Sequence, residues 1–236
     1  AVTISGGASI LSIQGRQVRI SLAGVPRCAG FSIAVSDQLK SAHRVTGGSK
    51  WSHNGRMICQ RVEAIGVSAK GRSILAYSFG SGPRVVLYTG AIHGNEASTR
   101  SLMQYWIDEL ERKAHEIPPY ATVVVVPAIN PDGIASGSRT SATNVDLNRN
   151  FETNNWQKDI TTVTNAPFPG GGGPVALSEP ETKAITKLVA RLRPGLVLSY
   201  HSIGGILQAN MASDSAARAA TYSSLSGYRN ATGGKA

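Results

Sequence analysis

The feature that most constrains the fold is a set of three uninterrupted apolar runs, each of which ends in a polar turn. The runs occupy residues 85–88, 122–127 and 196–200, and the second contains four consecutive valines. Continuous apolar runs of this length are typical of strands that are covered on both faces. Helical patterns separate them. The sequence therefore predicts an α/β domain with a mixed, mostly parallel twisted sheet flanked by helices.

Two helices and a hairpin are predicted around these strands. In residues 97–117 apolar side chains recur every three or four positions, and the pattern stops at two consecutive prolines. A second helix begins in a Ser-Glu-Pro-Glu stretch, where Ser178 is suited to cap the helix and Glu181 to reach back in a capping box. Residues 61–67 and 73–79 alternate around a glycine-containing turn and predict the hairpin.

The first quarter of the chain has a different pattern. Residues 9–13, 18–22 and 31–35 alternate apolar side chains with polar or small ones, which indicates short, half-exposed strands. The sequence therefore predicts a small β-rich N-terminal module over residues 1–60, followed by the α/β domain over residues 61–236.

Composition narrows the class of protein. Hydrophobic residues make up 41% and charged residues 16%, so the chain is globular rather than disordered. No apolar run approaches the roughly 20 residues that are needed to span a bilayer. The net charge of +10 suits an anionic partner, such as an acidic substrate or an anionic cell wall. The charges are scattered and no nucleic-acid-binding motif is visible, so no nucleic-acid partner is expected.

The two cysteines, Cys28 and Cys59, bear on where the protein works. A disulfide between them would indicate an exported protein, whereas two buried free thiols are the alternative. Neither cysteine has the spacing of a metal-ligand pair. We expect the disulfide, which favours a secreted or periplasmic protein.

Two histidines and one glutamate follow the ends of predicted strands. His93 and Glu96 lie three positions apart in the turn after the first apolar run, and His201 follows the third. Ligands of α/β sheets bind beyond the carboxyl ends of the strands, so we expect these side chains and Asn130 at one edge. Imidazole and carboxylate groups are zinc ligands, and three protein ligands leave a fourth position for water.

A second cluster of polar side chains lies in the long segment 134–174. Arg149 beside Asn148 offers a fork of donors suited to a carboxylate, and Arg139 is a second such donor. Irregular segments of this length are usually functional. For each arginine the alternative is a surface position, but the grouping favours recognition of an anion.

Five short motifs occur in the order found in zinc metallocarboxypeptidases, and residues 61–202 resemble that family. The motifs are His93-Gly94-Asn95-Glu96, Asn130-Pro131-Asp132-Gly133, Asp146-Leu147-Asn148-Arg149-Asn150-Phe151, Ser178-Glu179-Pro180-Glu181-Thr182 and Tyr200-His201-Ser202. The resemblance implies that His93, Glu96 and His201 bind one zinc ion, in the ligand set known for carboxypeptidase A.

The resemblance also implies roles for the second cluster. Asn148 and Arg149 would hold the terminal carboxylate of a peptide substrate, and Arg139 would polarise the scissile carbonyl and stabilise the oxyanion. The implied reaction is zinc-dependent hydrolysis of a C-terminal peptide bond, with zinc-activated water as the nucleophile. The amino-acid sequences of the motifs are most similar to those of the bacterial branch that trims cell-wall peptides, including the murein peptide amidases.

The family's general base is a glutamate that normally lies well after the third zinc ligand. Residues 202–236 contain no glutamate, and Asp214 is the only acidic residue there. We therefore expect that the C-terminal part of the family fold is missing. If nothing follows Ala236, we expect metal binding without normal turnover. Two alternatives stay open: an N-acyl amino acid deacylase of the aspartoacylase and succinylglutamate desuccinylase type, and a non-catalytic module that binds zinc and peptide carboxylates.

Overall fold

A computed structural model of the chain describes residues 61–202, 204–210 and 214–231, together with the backbone of seven short strands before them. These strands are β1 (Val2–Ser5), β2 (Ser9–Gln14), β3 (Gln17–Ser21), β4 (Phe31–Val35), β5 (Val45–Gly47), β6 (Ser52–His53) and β7 (Arg56–Met57). They form an antiparallel sheet in the order β1-β4-β5 and two antiparallel pairs, β2-β3 and β6-β7. The boundary of a separate module at residue 60 stays a prediction. Cys28 and Cys59 lie outside the described residues.

A five-stranded sheet organises the α/β part of the chain. Its strands are β8 (Arg61–Val67), β9 (Ser73–Gly80), β10 (Arg84–Thr89), β11 (Ala121–Val126) and β14 (Leu196–Ser199), and a short hairpin of β12 (Ile160–Thr161) and β13 (Pro167–Phe168) lies outside it. The order is β14-β10-β11-β9-β8. β10 is parallel to β11 and β14, whereas β9 is antiparallel to β11 and β8. Four of the five strands therefore run in one direction, and the predicted mixed, mostly parallel sheet is confirmed.

Three helices accompany the sheet: α1 (Ala97–Lys113), α2 (Pro131–Ser136) and α3 (Pro180–Leu192). The first predicted helix ends as an α-helix at Lys113 and continues only as a 3₁₀ turn over Ala114–Glu116. Within the described residues, none of the helices combines the length and the apolar character that a membrane crossing requires.

The two long helices cover opposite faces of the sheet. Successive residues of a strand point to opposite faces, and Val124 of β11 packs with the buried residues of α3 while Val125 packs with those of α1. Apolar residues of α3 at helical spacing, such as Ile185 and Leu188, are buried in the first cluster; Met103 of α1 is buried in the second. Both faces of β11 are therefore covered, which is why its sequence is an unbroken apolar run.

The start of α3 differs from the prediction. Glu179, not Ser178, is the N-cap residue, and no side chain caps the helix. Ser178 Oγ donates to Glu179 Oε1 at 2.9 Å, and Glu181 Oε1 accepts a hydrogen bond from the N–H of Ala69 at 3.1 Å. The predicted capping box is wrong because neither side chain makes its reciprocal hydrogen bond: the Ser178 hydroxyl donates to Glu179, and Glu181 accepts from Ala69.

Two buried carboxylates hold the turn between β8 and β9. Asp132, in the first turn of α2, accepts hydrogen bonds from Ser68 Oγ and from the N–H of Lys70, each at 2.9 Å. Glu181 of α3 accepts from Ala69 in the same turn. The turn is thereby attached to both helices, and two carboxylates are buried close together.

Glu181 is fully buried, and its second oxygen, Oε2, has no hydrogen-bond partner within the described part of the chain. Burial raises the pKa of Glu181 above its ordinary value of 4.5. The neighbouring charges of Glu179 and Asp132 raise that pKa as well, whereas the hydrogen bond from Ala69 opposes the shift. The surroundings therefore favour the neutral acid, since an ionised group would leave Oε2 buried without a donor.

We expect the wild-type protein to lose stability as the pH rises and the Glu181→Gln variant to lack this loss. The folded chain binds the Glu181 proton more tightly than the unfolded chain does. The proton's stabilising contribution is therefore complete below pH 4.5 and is lost as the pH rises through the higher pKa of the folded state. Each pH unit between the two pKa values costs up to about 1.4 kcal/mol. Urea unfolding between about pH 4 and pH 8 measures the difference between the two proteins.

The exposed Glu152→Gln variant is the control, because it removes one carboxylate from the surface. A stability difference between wild type and Glu181→Gln that stays constant across this pH range would contradict the buried neutral acid.

Residues from His201 onward form a second compact unit. It contains β15 (Ile206–Leu207), α4 (Ser215–Ser226) and β16 (Arg229–Asn230), and the two strands pair in parallel.

Candidate active site

The loop between β10 and α1 carries His93 and Glu96, and hydrogen bonds fix its backbone. Ala91 has a φ of +46°, a conformation that side-chain-bearing residues rarely adopt. Its N–H donates to Thr99 Oγ1 at 2.8 Å, and the Thr99 hydroxyl donates to the Glu96 carbonyl at 2.8 Å. The first turn of α1 thereby holds both ends of the loop in place.

The loop also lies directly against α2. A Cβ at Gly94 would lie 1.9 Å from the carbonyl carbon of Gly133, so only glycine permits this approach. Asn130 caps α2 by accepting from the N–H of Gly133 at 2.8 Å, and its amide donates to the Thr140 carbonyl at 3.0 Å. Asn130 therefore lies at the predicted edge, where its side chain connects α2 to the segment that carries Arg139.

His93 lies at the centre of a buried polar cluster. Its Nδ1 is 3.0 Å from Glu96 Oε1, and its Nε2 is 3.1 Å from Asp146 Oδ1. Arg139 Nε donates to Asp146 Oδ2 at 3.0 Å, and Arg139 Nη1 lies 3.9 Å from Glu96 Oε1. Histidine and both carboxylates are buried, whereas about a third of the arginine side chain is exposed. One arginine thus bridges two carboxylates that contact opposite nitrogens of one imidazole.

The ionisation of Asp146 determines what His93 can do. Burial acts to raise the pKa of Asp146, but the hydrogen bonds from His93 and Arg139, together with the positive charge of Arg139, outweigh burial and lower it. An ionised carboxylate only accepts hydrogen bonds, so the hydrogen on Nε2 of His93 points to Asp146. In the neutral ring, the lone pair of Nδ1 then faces Glu96 Oε1. An imidazole lone pair and a carboxylate oxygen that converge in this way are a suitable donor set for a metal cation.

The predicted anion-binding pair follows Asp146 directly. Asp146 Oδ1 accepts from the N–H of Asn148 at 3.0 Å and so caps the 3₁₀ turn Leu147–Arg149. Asn148 is half-buried, whereas Arg149 is exposed and donates through Nη1 to the Asn148 carbonyl at 3.2 Å. The carboxylate that orients His93 therefore also positions the backbone of this pair.

Asn150, the next residue in the chain, is fully buried and connects the site to the start of α3. Its Oδ1 accepts from the N–H of Glu179 at 3.1 Å and from Thr182 Oγ1 at 2.7 Å. Its Nδ2 donates to the carbonyl oxygens of Gly172 and Val175, at 2.8 Å and 3.1 Å. A single amide group thus holds the glycine-rich segment and α3 beside the anion-binding pair.

His201 is the third predicted metal ligand and the first residue of the second compact unit. β14 pairs with β10, and the N–H of Tyr200 donates to the Thr89 carbonyl at 2.9 Å, beyond the last strand residue. β14 and β10 therefore end at the same edge of the sheet, at which the loop of His93 begins. That His201 binds the same ion stays a prediction.

Two important residues of the site, Asp146 and Asn150, had no role assigned from the sequence. Both lie in the Asp-Leu-Asn-Arg-Asn-Phe motif, which was identified for its arginine. Asp146 contacts a side chain that is 53 positions away, and Asn150 contacts residues up to 32 positions away. Local spacing carries no information on such contacts; the sequence signal for both residues is their place in the Asp-Leu-Asn-Arg-Asn-Phe motif.

Comparisons with known proteins identify the family of the chain. The family model described as zinc carboxypeptidase matches residues 57–231. Murein peptide amidase A of Escherichia coli K12 is 37% identical over 91 residues, which are 33% of this chain and 34% of that protein. The human carboxypeptidase N catalytic chain is 30% identical over 185 residues, covering 64% of this chain and 39% of that protein. The chain thus spans little more than a third of the length of these two curated relatives.

A solved structure shows the same fold. The crystal structure of carboxypeptidase A from Helicoverpa armigera superposes with a TM-score of 0.57 and 26% sequence identity, covering 67% of this chain and 46% of that one. Because the family model covers well over half of the sequence, the chain belongs to the zinc carboxypeptidase family.

Proposed function

We propose that this protein is a zinc-dependent hydrolase that cleaves a C-terminal peptide bond, and that His93, Glu96 and His201 bind one zinc ion. The observation that carries the proposal is the buried cluster in which Nδ1 of His93 and a carboxylate oxygen of Glu96 face each other at 3.0 Å. Membership of the zinc carboxypeptidase family supports the same metal. When bound, zinc supplies Lewis-acid activation of a water molecule and of the scissile carbonyl.

Residues of the chain itself orient the groups that this reaction requires. Asp146 accepts the Nε2 hydrogen of His93, which fixes the ring orientation and makes the opposite nitrogen a better ligand. The hydrogen bond from Arg139 Nε to the same carboxylate fixes the plane of the guanidinium group. We assign to Arg139 the polarisation of the scissile carbonyl and the stabilisation of the negative charge that develops on its oxygen.

We assign the recognition of the substrate's terminal carboxylate to Asn148 and Arg149. The exposed guanidinium of Arg149 is a planar, permanently charged fork that matches a carboxylate. The proposed substrates are therefore peptides with a free C-terminal carboxylate. Cell-wall peptides are the candidate class, since one relative is a murein peptide amidase. A location outside the cytoplasm, secreted or periplasmic, fits such a substrate and belongs to the same proposal.

Peptide binding tests the substrate class. We expect the zinc-loaded protein to bind peptides with a free terminal carboxylate and not to bind the same peptides with an amidated end. Arg149→Ala should weaken binding of the free-acid peptide by about 10- to 100-fold, which is the value of one charge-assisted hydrogen bond to a charged group. Isothermal titration calorimetry on each peptide measures the loss.

The control is Arg112→Ala, which removes an exposed arginine from the far end of α1. Equal binding of free and amidated peptides would contradict the proposed carboxylate recognition. Hydrolysis of N-acyl amino acids instead of peptides would favour the deacylase alternative. Binding of free-acid peptides without hydrolysis would favour the non-catalytic alternative.

A further inference from the structure

The solvent-facing side of α3 carries positive charge only. Lys183, Lys187 and Arg191 recur every fourth residue and are exposed, and Arg193 follows the helix. The one carboxylate within α3 is Glu181, which is fully buried. Arg191 lies in the last turn, where the helix dipole favours a cation. Lys183 lies near the start, where the dipole disfavours one, and its ammonium donates to the Ser178 carbonyl at 3.1 Å. The dipole therefore accounts for Arg191 but not for Lys183 or Lys187.

The neighbouring strand extends this charged surface. α3 lies against β8 closely enough that a Cβ at Gly66 would be 2.7 Å from Ala184 Cβ. Arg61 of β8 is exposed and pairs with Glu63 at 2.7 Å, and Arg191 reaches the same carboxylate. Glu63 is therefore shared by two arginines and balances only one of the two charges. We call the exposed cations Arg61, Lys183, Lys187, Arg191 and Arg193 the α3 basic face.

The exposed side of α1 shows that this pattern is specific to α3. On α1 the cations Arg112 and Lys113 both pair with Glu109, the second at 3.5 Å. Asp108 lies on the same exposed turn. Mixed charges of this kind are what a helix that only faces solvent usually carries. A face of one sign instead attracts counter-ions of the opposite sign and concentrates an anionic partner.

The geometry and composition of the face indicate the kind of anion. With a rise of 1.5 Å per residue, cations four positions apart are spaced at about 6 Å along one line. A row of this kind suits a linear polymer with a repeated negative charge. Single-stranded nucleic acids are usually held by aromatic side chains on which the bases stack, but α3 and β8 contain no aromatic residue.

We propose that the α3 basic face binds a linear, base-free phosphodiester polymer of a cell surface. The cations contact successive phosphate groups of the polymer. This surface shares no residue with the metal-binding cluster, so the proposal does not depend on hydrolysis.

Binding of poly(glycerol phosphate) to the whole chain tests the proposal by fluorescence anisotropy at about 50 and 200 mM salt. The variant Lys183→Gln/Lys187→Gln/Arg193→Gln removes three cations from the face, and glutamine is well tolerated on a helix surface. We expect at least a tenfold loss of affinity for this variant. The dependence of log K on log salt should also flatten by about 2, since each lost contact to a single strand contributes about 0.7.

The matched control is Arg100→Gln/Arg112→Gln/Lys113→Gln, which removes three exposed cations from α1 and gives the same net charge. It should bind as wild type does. Equal losses in both triple variants would show that net charge alone drives binding and would overturn the proposal, as would unchanged binding of the α3 variant. Tighter binding of poly(dT) than of poly(glycerol phosphate) would overturn the base-free assignment in favour of a nucleic-acid partner.

Discussion

Replacing His93 with alanine should lower the proposed zinc affinity of the protein by well over 100-fold. Loss of a residue that only orients a ligand typically costs about 10- to 100-fold, so loss of the ligand itself must cost more. His93 is 2% exposed and contacts both carboxylates of the cluster, so no other imidazole can take its position without moving the loop. Competition against a chelator of known affinity measures the change, and metal analysis of the purified protein confirms it.

A graded series of variants makes this prediction specific. The zinc affinity of Glu96→Ala and of His201→Ala should fall as far as that of His93→Ala, because each variant removes one proposed ligand. The zinc affinity of Asp146→Asn should be about 10- to 100-fold lower than that of wild type, since the amide disturbs the hydrogen bond that orients the imidazole. His115→Ala, at an exposed position after α1, is the histidine control and should bind zinc as wild type does. Equal zinc in all five proteins would refute the metal site.

A second readout separates loss of the site from loss of the fold. Zinc at about 1,000 times its dissociation constant stabilises the native state by about 4 kcal/mol. Wild type should therefore unfold at a higher temperature with zinc than with chelator. The His93→Ala variant should lose this zinc-dependent increase, and its melting temperature in chelator measures the separate cost of removing a buried, hydrogen-bonded side chain. A variant that keeps the full zinc-dependent increase would show that His93 is not a ligand.

The sheet and the helices could be predicted from the sequence because periodicity reports on burial. The alternating contacts of Val124 and Val125 with opposite helices require an apolar residue at every position of β11, and that run is visible in the chain. The positions of His93 and Glu96 in the loop after β10 follow from the same reasoning, since loops at strand ends carry ligands in α/β folds.

The contacts that make the site work could not be predicted in this way. Ser178 and Glu181 match a capping box locally, yet Glu181 binds the turn at Ala69, which is 112 positions away. Asp146 likewise meets His93 only because two loops converge in the folded chain. A local motif describes which partners lie within one helical turn, whereas the native partner is the one that satisfies a buried group at the lowest cost.

The distribution of charge on the surface is another feature that could not be predicted from the sequence. Along the sequence the cations are scattered, and no run of them predicts a binding surface. On α3 the fourfold spacing of Lys183, Lys187 and Arg191 places them on one side of a helix. Whether that side faces solvent, and whether a carboxylate neutralises it, depends on β8 and on the burial of Glu181. These are properties of the folded protein only.

Replacing Asn150 with alanine should destabilise the protein by about 3–5 kcal/mol. The amide makes hydrogen bonds on both of its ends, and its removal leaves the Glu179 N–H and the Gly172 carbonyl without this partner in a buried position. Each buried group that loses its partner costs about 1–3 kcal/mol, and losses above about 4 kcal/mol are reserved for networks of this kind. Urea unfolding measures the change.

Local readouts connect this loss to the site. Trp156 donates through Nε1 to the Gly172 carbonyl at 3.0 Å, the same oxygen that Asn150 binds. The fluorescence of Trp156 in the Asn150→Ala variant should therefore change at urea concentrations below the global unfolding transition. The N–H of Leu177 donates to the backbone carbonyl of Asn150. Hydrogen exchange at this N–H should accelerate in the variant, because the segment around it opens more easily. The Asn154→Ala variant, at an exposed position of the same loop, should stay within about 0.5 kcal/mol of wild type.

Asn150→Asp separates the two ends of the amide. The aspartate keeps an acceptor for Glu179 and Thr182 but places a second acceptor against the carbonyl oxygens of Gly172 and Val175. It should be about as damaging as alanine when ionised and less damaging at low pH, where a protonated oxygen can donate again. If both variants remain within about 0.5 kcal/mol of wild type, the glycine-rich segment does not depend on this amide, and the positioning of Arg149 must come from Asp146 alone.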